Sequence, residues 1–406
     1  MVFEKNRSCV SQLIAVIKDY ADCLKNIKQI DAILLDLSKA FDKVDLNGLI
    51  LKLEHLGIRN SLLGWTKSFL LGRTQRVLVE GKASAPRPVL SGVPQGTVLG
   101  PLFFLIYIND LSKGLSKGTK LKLFADDSLL YRTIETPADS KALQNDLDLL
   151  QVWEQKWKME FHPGKCQFLR ITNKHKIFHS DYYIHGIKVK RTETAQYLGV
   201  VIDGSLSWKN QYHHVIQKAN KILGLISRNF HHCPLHIKSQ CYTTLVRPIL
   251  EYACSVWDPH HQIDIELLEK VQKRAARFVT GNYTWEHGNS DLNLKTLGWD
   301  TLQERRIRNK LITLQKARLE LIDIPIEHLD FKTRQTRFYD ESYYAREFSD
   351  IDGHRFSFFP DTTHIWNHLS KEERLSEDID NFTSYLNTVD LTTLRYDIRV
   401  TGGPIR

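Results

Sequence analysis

Two adjacent aspartates, Asp126 and Asp127, interrupt an apolar run that reads L-F-A-D-D-S-L-L at residues 123–130. Adjacent carboxylates repel each other, and burial of either one costs several kcal/mol. The flanking segments 120–124 and 128–132 look like strands, so the pattern predicts a β-hairpin with the two aspartates at its tip. Two interpretations follow: the pair closes a turn, or it binds a hard divalent cation that offsets the repulsion.

A third carboxylate, Asp36, ends an apolar run, D-A-I-L-L-D-L at residues 31–37, that predicts a buried strand. If this strand lies beside the hairpin in one sheet, the three carboxylates converge. Two Mg²⁺ ions about 3.5–4 Å apart need such a cluster of oxygen ligands, and the pair serves phosphoryl transfer. Asp42 follows a stretch that leaves the strand, and we therefore interpret it as structural.

Five segments resemble, in order, the palm motifs of reverse transcriptases from non-LTR (LINE-type) retrotransposons. Between residues 36 and 200 they read D-L-S-K-A-F-D-K-V, S-G-V-P-Q-G-T-V-L-G-P-L-F-F, L-F-A-D-D, H-P-G-K-C-Q-F-L and Q-Y-L-G-V. Two later segments resemble the thumb region and the C-terminal tail of these proteins: R-P-I-L-E-Y-A-C-S-V-W-D-P-H and S-F-F-P-D-T-T-H-I-W-N-H-L. Five motifs in order make chance implausible, and they favour the metal interpretation, in which the turn presents the ligands.

The resemblance implies catalytic roles for particular residues. Asp36 and Asp126 would be the principal metal ligands and Asp127 the third catalytic carboxylate, with two Mg²⁺ ions, or Mn²⁺, as cofactors. The backbone carbonyl of Leu37 would assist. Lys165 would approach the triphosphate and act as a general acid toward pyrophosphate; the alternative is a solvated lysine in a turn.

The resemblance also implies which residues bind the nucleotide. Phe41 would lie under the incoming sugar and exclude a ribose 2′-hydroxyl by a steric clash, which selects dNTPs; the alternative is core packing. Gln95 and Gly96 would contact the nucleotide, Gly96 by letting the backbone come close. The alternative for these two residues is an ordinary Pro-Gln-Gly turn.

The pattern of helices and strands predicts an α+β body followed by a helical appendage. With the resemblance, we expect a partial fingers region and a palm (antiparallel sheet with packed helices) at 1–202, a helical thumb at 203–290 and a helical or irregular extension at 291–406. Periodicity predicts helices at 12–28, 46–56, 61–71, 99–111, 137–157, 210–230, 235–252, 263–280 and 302–319. Residues 323–406 have weak periodicity and receive no assignment.

The chain of 406 residues carries a net charge of +9, which favours a polyanionic partner. Basic residues at 270–278 and 304–310 lie on predicted helices and either contact a nucleic-acid duplex or form solvated faces. No apolar run reaches about 18 residues and no signal peptide is evident, so we expect an intracellular protein, nuclear or cytoplasmic, without a membrane partner. His231–Cys241 holds histidines and cysteines, but their spacing matches no common zinc pattern, and Pro234 predicts a helix start.

The family normally carries a fingers region before the first helix, and many members carry an endonuclease; we expect most of the fingers and the whole endonuclease to be missing here. The predicted function is RNA-directed DNA polymerase, with an RNA template, a DNA primer or RNA–DNA duplex, and dNTPs as partners. One alternative is a catalytically inactive, nucleic-acid-binding remnant. Another is an RNA-copying RNA polymerase, against which Phe41 argues because ribonucleotides need space at the 2′-hydroxyl.

Overall fold

The computed structural model describes residues 6–284, 289–327, 329, 342–345 and 347–400. The chain divides into two compact units, residues 27–197 and residues 6–26 together with 198–400. The first helix, α1 (Cys9–Lys25), thus belongs to the second unit. The division into palm, thumb and extension stays a prediction.

The first unit contains the central sheet, four helices and several short strand pairs. Its elements are β1 (Gln29–Leu35), α2 (Leu46–His55), α3 (Asn60–Leu70), β2 (Thr74–Gln75), β3 (Leu78–Val79), β4 (Lys82–Ala83), β5 (Arg87–Pro88), α4 (Leu99–Ile108), β6 (Thr119–Phe124), β7 (Asp127–Thr133), α5 (Pro137–Trp157), β8 (Gln167–Thr172), β9 (Tyr183–Ile184), β10 (Ile187–Lys188), β11 (Lys190–Thr192) and β12 (Thr194–Tyr197).

The central sheet has the strand order β11-β8-β1-β7-β6. β1 lies in the middle and pairs antiparallel with β7 on one side and β8 on the other, while β11 adds a parallel edge. A strand paired on both sides and covered by helices is apolar throughout, which is why the run at 31–37 predicted it. The predicted α+β class and palm sheet are confirmed, and the sheet is antiparallel except for the edge strand β11.

One hydrophobic core joins the sheet to helices α2, α4 and α5. Ile33 of β1 and Phe168 of β8 pack with Leu49 of α2, Phe104 of α4 and Leu147 of α5, all of them buried. Helix α5 begins as the sequence predicted, with a capping box at Thr136 and a proline at its first turn. These helices hold one face of the sheet rigid.

Beyond residue 208, all the elements that the structure describes in the second unit are helices. Besides α1 it contains β13 (Val200–Asp203), α6 (Lys209–Asn229), α7 (Leu235–Leu245), α8 (Arg247–Glu251), α9 (Cys254–Trp257), α10 (Gln262–Thr280), α11 (Asn289–Leu297), α12 (Leu302–Arg318), α13 (Asp352–Arg355), α14 (Phe358–Trp366), α15 (Lys371–Arg374), α16 (Ile379–Leu386) and α17 (Leu391–Val400). The helical character expected after Trp208 is confirmed. No helix in the described part of the chain is long and apolar enough to cross a bilayer.

The single helix predicted at 235–252 is wrong. The chain forms two helices, α7 and α8, that meet at Val246, and Pro248 lies in the first turn of α8. Proline lacks the N–H that a continuous helix would need and its ring clashes with the preceding turn. The break follows directly from that residue.

A buried charge cluster joins the two motifs that resemble the thumb and the tail. Asp258 of the first motif lies 2.8 Å from Arg306, 2.7 Å from Lys310 and 2.8 Å from Arg395. Asp361 of the second motif pairs with Lys310 at 2.5 Å and Arg395 at 3.2 Å. Burial alone would raise the pKa of Asp258, but the three cations hold it well below its usual range. Part of the tail that had no assignment is therefore folded onto α12.

A second group of charges, which are themselves partly exposed, surrounds the buried His354 in α13. Its Nε2 lies 3.5 Å from Asp22 and 3.4 Å from Glu347, which also accept from Lys18 and Lys25 respectively. Burial lowers the pKa of His354, but its hydrogen bonds to both carboxylates outweigh that effect and the pKa is raised. The pKa values of Asp22 and Glu347 fall to about 2.

We expect His354→Gln to lower the free energy of unfolding more at about pH 5.5 than at about pH 9. A raised histidine pKa stabilises the fold below the ordinary value of about 6.5, and this contribution is lost as the pH rises through the raised value. Asp22 and Glu347 lose their stabilising contribution only as the pH falls toward 2, which lies outside this range. Urea denaturation across this pH range measures the effect, with exposed His214→Gln as the control; an effect of His354→Gln that is constant with pH would contradict the prediction.

Candidate active site

The structure brings the three predicted carboxylates to one end of the central sheet. Ala125 and Asp126 form the two-residue turn between β6 and β7, and Asp127 is the first residue of β7. Asp36 directly follows Leu35, which pairs with Ser128 of β7. Continuing this register places Asp36 beside Asp127, so the strand end and the hairpin present their acids together.

The hairpin closes one residue earlier than expected. The sequence placed both aspartates at the tip, but Asp127 pairs with Phe124 in the ladder, and Ala125 takes the other turn position with a φ of 53°. A non-glycine residue in this left-handed region costs about 1 kcal/mol, because its Cβ crowds the following carbonyl. The tight turn leaves Asp126 exposed and Asp127 at the strand start, so the turn and metal interpretations are compatible.

The electrostatics of the three acids are those of an uncompensated cluster. Burial raises the pKa of Asp127, and the charges of Asp126 and Asp36 raise it further. Oδ2 of Asp36 is buried and makes no hydrogen bond to any described residue; the nearest cation is Nζ of Lys165, 3.6 Å away. A buried carboxylate oxygen without a donor is costly unless a cation meets it. Three carboxylates are also the hard oxygen donors that Mg²⁺ and Mn²⁺ prefer, so their chemistry suits a divalent metal, although their oxygens do not all lie within 4.8 Å of one another.

The turn at 162–166 holds Asp36 and Lys165 together. The carbonyl oxygen of Asp36 accepts from the backbone N–H of His162 at 2.8 Å, and Leu37 forms a β-bridge with Phe161. The N–H of Lys165 donates back to the carbonyl of His162 at 2.9 Å, which closes the turn. Lys165 is exposed, as the solvated alternative required, and its ammonium group nevertheless reaches the acidic cluster.

Phe41 stacks on Phe104 with ring centroids 4.3 Å apart and remains partly accessible. Its carbonyl accepts from the N–H of Val93 at 3.0 Å, which joins it to the glycine-rich loop at 91–98. At Gly92 a Cβ would lie 2.8 Å from the carbonyl oxygen of Asp42, so only glycine permits this approach. Core packing therefore explains one face of Phe41, and its role in sugar selection stays a prediction.

Gln95 and Gly96 are exposed at the tip of that loop, and Gly96 has a φ of 73°. Nε2 of Gln95 donates to Oδ1 of Asp42 at 2.8 Å. Asp42 thus fixes the loop, as its structural interpretation implied, and orients the predicted nucleotide-binding amide.

The sequence analysis missed Arg73, which anchors the same loop. Its guanidinium donates to the carbonyl of Leu70 at 2.8 Å and to that of Gly92 at 2.6 Å. Desolvation lowers the pKa of this arginine. In the sequence it is one cation between a helix and a strand, and nothing local distinguishes it from a surface residue.

The predicted nucleic-acid contact of the cations at residues 304–310 is wrong. Arg306 and Lys310 are buried in the cluster around Asp258, Arg305 pairs with Glu251, and Arg308 lies 2.7 Å from Asp300. Charges at helical spacing look alike whether they face water or buried acids, so the sequence did not separate the two cases.

Two other segments of the helical appendage were considered for binding: residues 270–278 for nucleic acid and His231–Cys241 for zinc. On α10, Lys270 and Arg274 are exposed, so a nucleic-acid contact at 270–278 stays a prediction. Pro234 precedes α7, as predicted, and no group of three possible metal ligands forms at His231–Cys241 among the described residues.

Comparisons with known proteins point to one family. Residues 1–202 match the family model for reverse transcriptase (RNA-dependent DNA polymerase). The RNA-directed DNA polymerase from mobile element jockey of Drosophila funebris is 29% identical over 293 residues, which cover 69% of this chain and 31% of that protein. The probable RNA-directed DNA polymerase from transposon BS of Drosophila melanogaster is 27% identical over 313 residues, or 73% of this chain and 34% of that protein. The chain thus spans about a third of the length of these relatives.

Among solved structures, apo telomerase from Candida tropicalis is similar with a TM-score of 0.37 and 13% identity, covering 78% of this chain and 50% of that chain. Telomerase from Candida albicans in complex with a telomeric RNA fragment gives a TM-score of 0.35 and 13% identity, over 81% of this chain and 54% of that one.

In the absence of metal, we expect Asp127→Asn to raise the free energy of unfolding near pH 7. The folded chain raises the pKa of Asp127, so ionising this group costs stability above the ordinary aspartate pKa of about 3.9. The gain should vanish as the pH falls through that ordinary value, because Asp127 is then neutral in both states.

With Mg²⁺ added, the wild-type chain should become more stable than Asp127→Asn, because the wild-type cluster binds a cation and the variant has lost a ligand. Thermal denaturation with EDTA and with Mg²⁺ measures both effects, and exposed Glu193→Gln serves as the control. If Asp127→Asn destabilised the EDTA-treated chain, the uncompensated-cluster interpretation would be wrong.

Proposed function

Because residues 1–202 of the chain belong to the reverse transcriptase family, with polymerases of non-LTR retrotransposons among its relatives, we propose that it is an RNA-directed DNA polymerase. It extends a primer 3′-hydroxyl with dNTPs on an RNA template. The observation that carries this proposal is the acidic cluster at the sheet end, where Asp36 keeps a buried oxygen without a hydrogen-bond donor.

The cofactor is two Mg²⁺ ions, or Mn²⁺, which when bound lower the pKa of the 3′-hydroxyl and neutralise charge on the triphosphate. Asp36 and Asp126 hold them as principal ligands, with Asp127 as the third carboxylate. The carbonyl of Leu37 assists. Lys165 reaches the cluster from the adjoining turn and donates a proton to the leaving pyrophosphate.

The glycine-rich loop and Phe41 position the nucleotide. The hydrogen bond from Gln95 to Asp42 holds the loop tip in a defined orientation beside Gly96. Phe41 supports the sugar, and its stacking on Phe104 keeps the ring from yielding to a 2′-hydroxyl.

An RNA template with a DNA primer, or an RNA–DNA duplex, is the proposed nucleic-acid partner. The net charge of +9 and the exposed cations Lys270 and Arg274 on α10 support it through phosphate contacts that are independent of sequence. A nuclear or cytoplasmic location completes the proposal.

We expect Asp126→Asn and Asp127→Asn each to reduce primer extension at least about 100-fold, because each removes a ligand charge while keeping the side-chain shape. Extension of a DNA primer on an RNA template with Mg²⁺ and dNTPs is the assay, and Glu193→Gln is the control. Circular dichroism should show that the variants stay folded.

The same assay distinguishes the polymerase from the alternative, a catalytically inactive remnant that binds nucleic acid. Wild-type chain that binds primer–template duplex but extends no primer with Mg²⁺ or Mn²⁺ would overturn the polymerase proposal. Extension that survives in both asparagine variants would overturn the assignment of the carboxylates.

We expect Phe41→Val to admit rNTPs while dNTP use continues, because the smaller side chain leaves room for a 2′-hydroxyl. The ratio of kcat/KM for dNTP to that for rNTP should fall at least about tenfold. Phe104→Leu is the matched control, since it loosens the stacked pair from the other side and leaves Phe41 in place. Equal shifts in the two variants would mean that packing, and not the Phe41 ring itself, governs sugar selection.

A further inference from the structure

A second group of possible metal ligands lies in the helical unit, apart from the acidic cluster of the sheet. His260 and His261 occupy the connection between α9 and α10, and Asp352 is the first residue of α13. One ligand atom from each of these three residues lies within 4.8 Å of the other two. All three belong to the same compact unit.

The ring of His260 is held in a defined orientation. It stacks on Phe356 with centroids 3.9 Å apart and planes 5° apart, and it lies against the ring of His261 at 4.0 Å. Nε2 of His260 faces Oδ2 of Asp352 at 3.7 Å. Two residues earlier, Asp258 anchors the connection in the buried charge cluster.

Asp352 is held by the close packing of the residue after it. A Cβ on Gly353 would lie 3.1 Å from the backbone carbonyl oxygen of Ser205 and 3.3 Å from the side chain of Leu24, so the backbone of α13 packs closely against both neighbours. The next residue, His354, is fixed by its two carboxylate partners. The backbone on both sides of the three ligands is therefore fixed, while the side chains of His261 and Asp352 are exposed.

We propose that His260, His261 and Asp352 form a zinc(II) site that fastens α13 to the α9–α10 connection, with water as the fourth ligand. Two imidazoles and one carboxylate are a donor set that suits Zn²⁺, whereas Mg²⁺ prefers oxygen ligands alone. Tetrahedral bonds of about 2.0–2.2 Å place ligand atoms about 3.3–3.5 Å apart. The present ligand atoms lie within 4.8 Å of one another, so binding of zinc requires the two exposed side chains to move closer to His260.

The competing explanation is an ion pair between His260 and Asp352 with no metal. Both explanations place these side chains together, but only a metal site requires His261 as well. The chain also contains a second His-His pair, His231 and His232, with ring centroids 5.0 Å apart. No third ligand completes a cluster there among the described residues, so this pair is a matched control for adventitious zinc.

Zinc binding to the full chain tests the proposal, with excess Mg²⁺ present to occupy the acidic cluster. Isothermal titration with Zn²⁺ should show one tight site per chain that weakens at least tenfold in His261→Ala and in Asp352→Asn. The double variant His231→Ala, His232→Ala should retain that site. Zn²⁺ should also raise the Tm of the wild-type chain and of the control, and leave the Tm of the two site variants unchanged.

Substituting Co²⁺ identifies the donors spectroscopically, because cysteine coordination adds a thiolate charge-transfer band that histidine and aspartate do not. The proposal requires visible d–d absorption without that band, lost in Asp352→Asn. Zinc affinity unchanged in both site variants, or a thiolate band in the wild-type spectrum, would overturn it. The metal-free variants should match the wild-type chain in circular dichroism, since both side chains are exposed; if one variant is misfolded, the other decides.

Discussion

The buried ion pair between Asp31 and Arg170 fixes the register of β1, and this register decides where Asp36 lies at the other end of the central sheet. The two residues are direct cross-strand partners on β1 and β8, 2.9 Å apart, and both are buried. Asp31 also accepts from the hydroxyl of Tyr182 at 2.8 Å and from Gln29 at 2.9 Å. A one-residue slip of β1 would break this cross-strand pairing and leave the buried charges unpaired, at high cost. The register that places Asp36 beside the hairpin is therefore locked by chemistry several residues away.

The local sequence pattern predicted the helices and strands well. It predicted poorly the polar contacts between residues that are far apart in the sequence. The apolar run ending at Asp36 and the capped start of α5 are each encoded within a few neighbouring residues and are confirmed in the structure, and the predicted hairpin is present with its turn one residue earlier, at Ala125 and Asp126. Asp31 lies within the same apolar run, yet its partner is 139 residues away in sequence. No periodicity connects such a pair, so the sequence indicated that β1 is buried but not what fixes its register.

The same limit separates the candidate site from the residues that support it. Motif resemblance located Asp36, Asp126, Asp127 and Lys165, and the structure places all four around one sheet end. Arg73 has an anchoring role that depends on a loop carbonyl 19 residues further along the chain. Recognition of a motif identifies groups that do chemistry, whereas groups that hold the motif in shape become visible only with coordinates.

The carboxylates around Asp258 and those at the sheet end show how compensation distinguishes structural from functional carboxylates. Asp258 and Asp361 are buried among Arg306, Lys310 and Arg395, which hold the pKa of Asp258 below its usual range and so make this cluster an internal tie. The acids of the sheet face one exposed lysine, and desolvation together with their mutual repulsion raises the pKa of Asp127.

The acidic cluster at the sheet end does not stabilise the fold. The left-handed backbone conformation of Ala125 in the turn adds to its energetic cost. The stability must come from β1 and from the core packed behind it. A carboxylate cluster that the surrounding structure leaves uncompensated, on a scaffold rigid enough to hold it, is the arrangement expected when a charge from outside the chain completes the site.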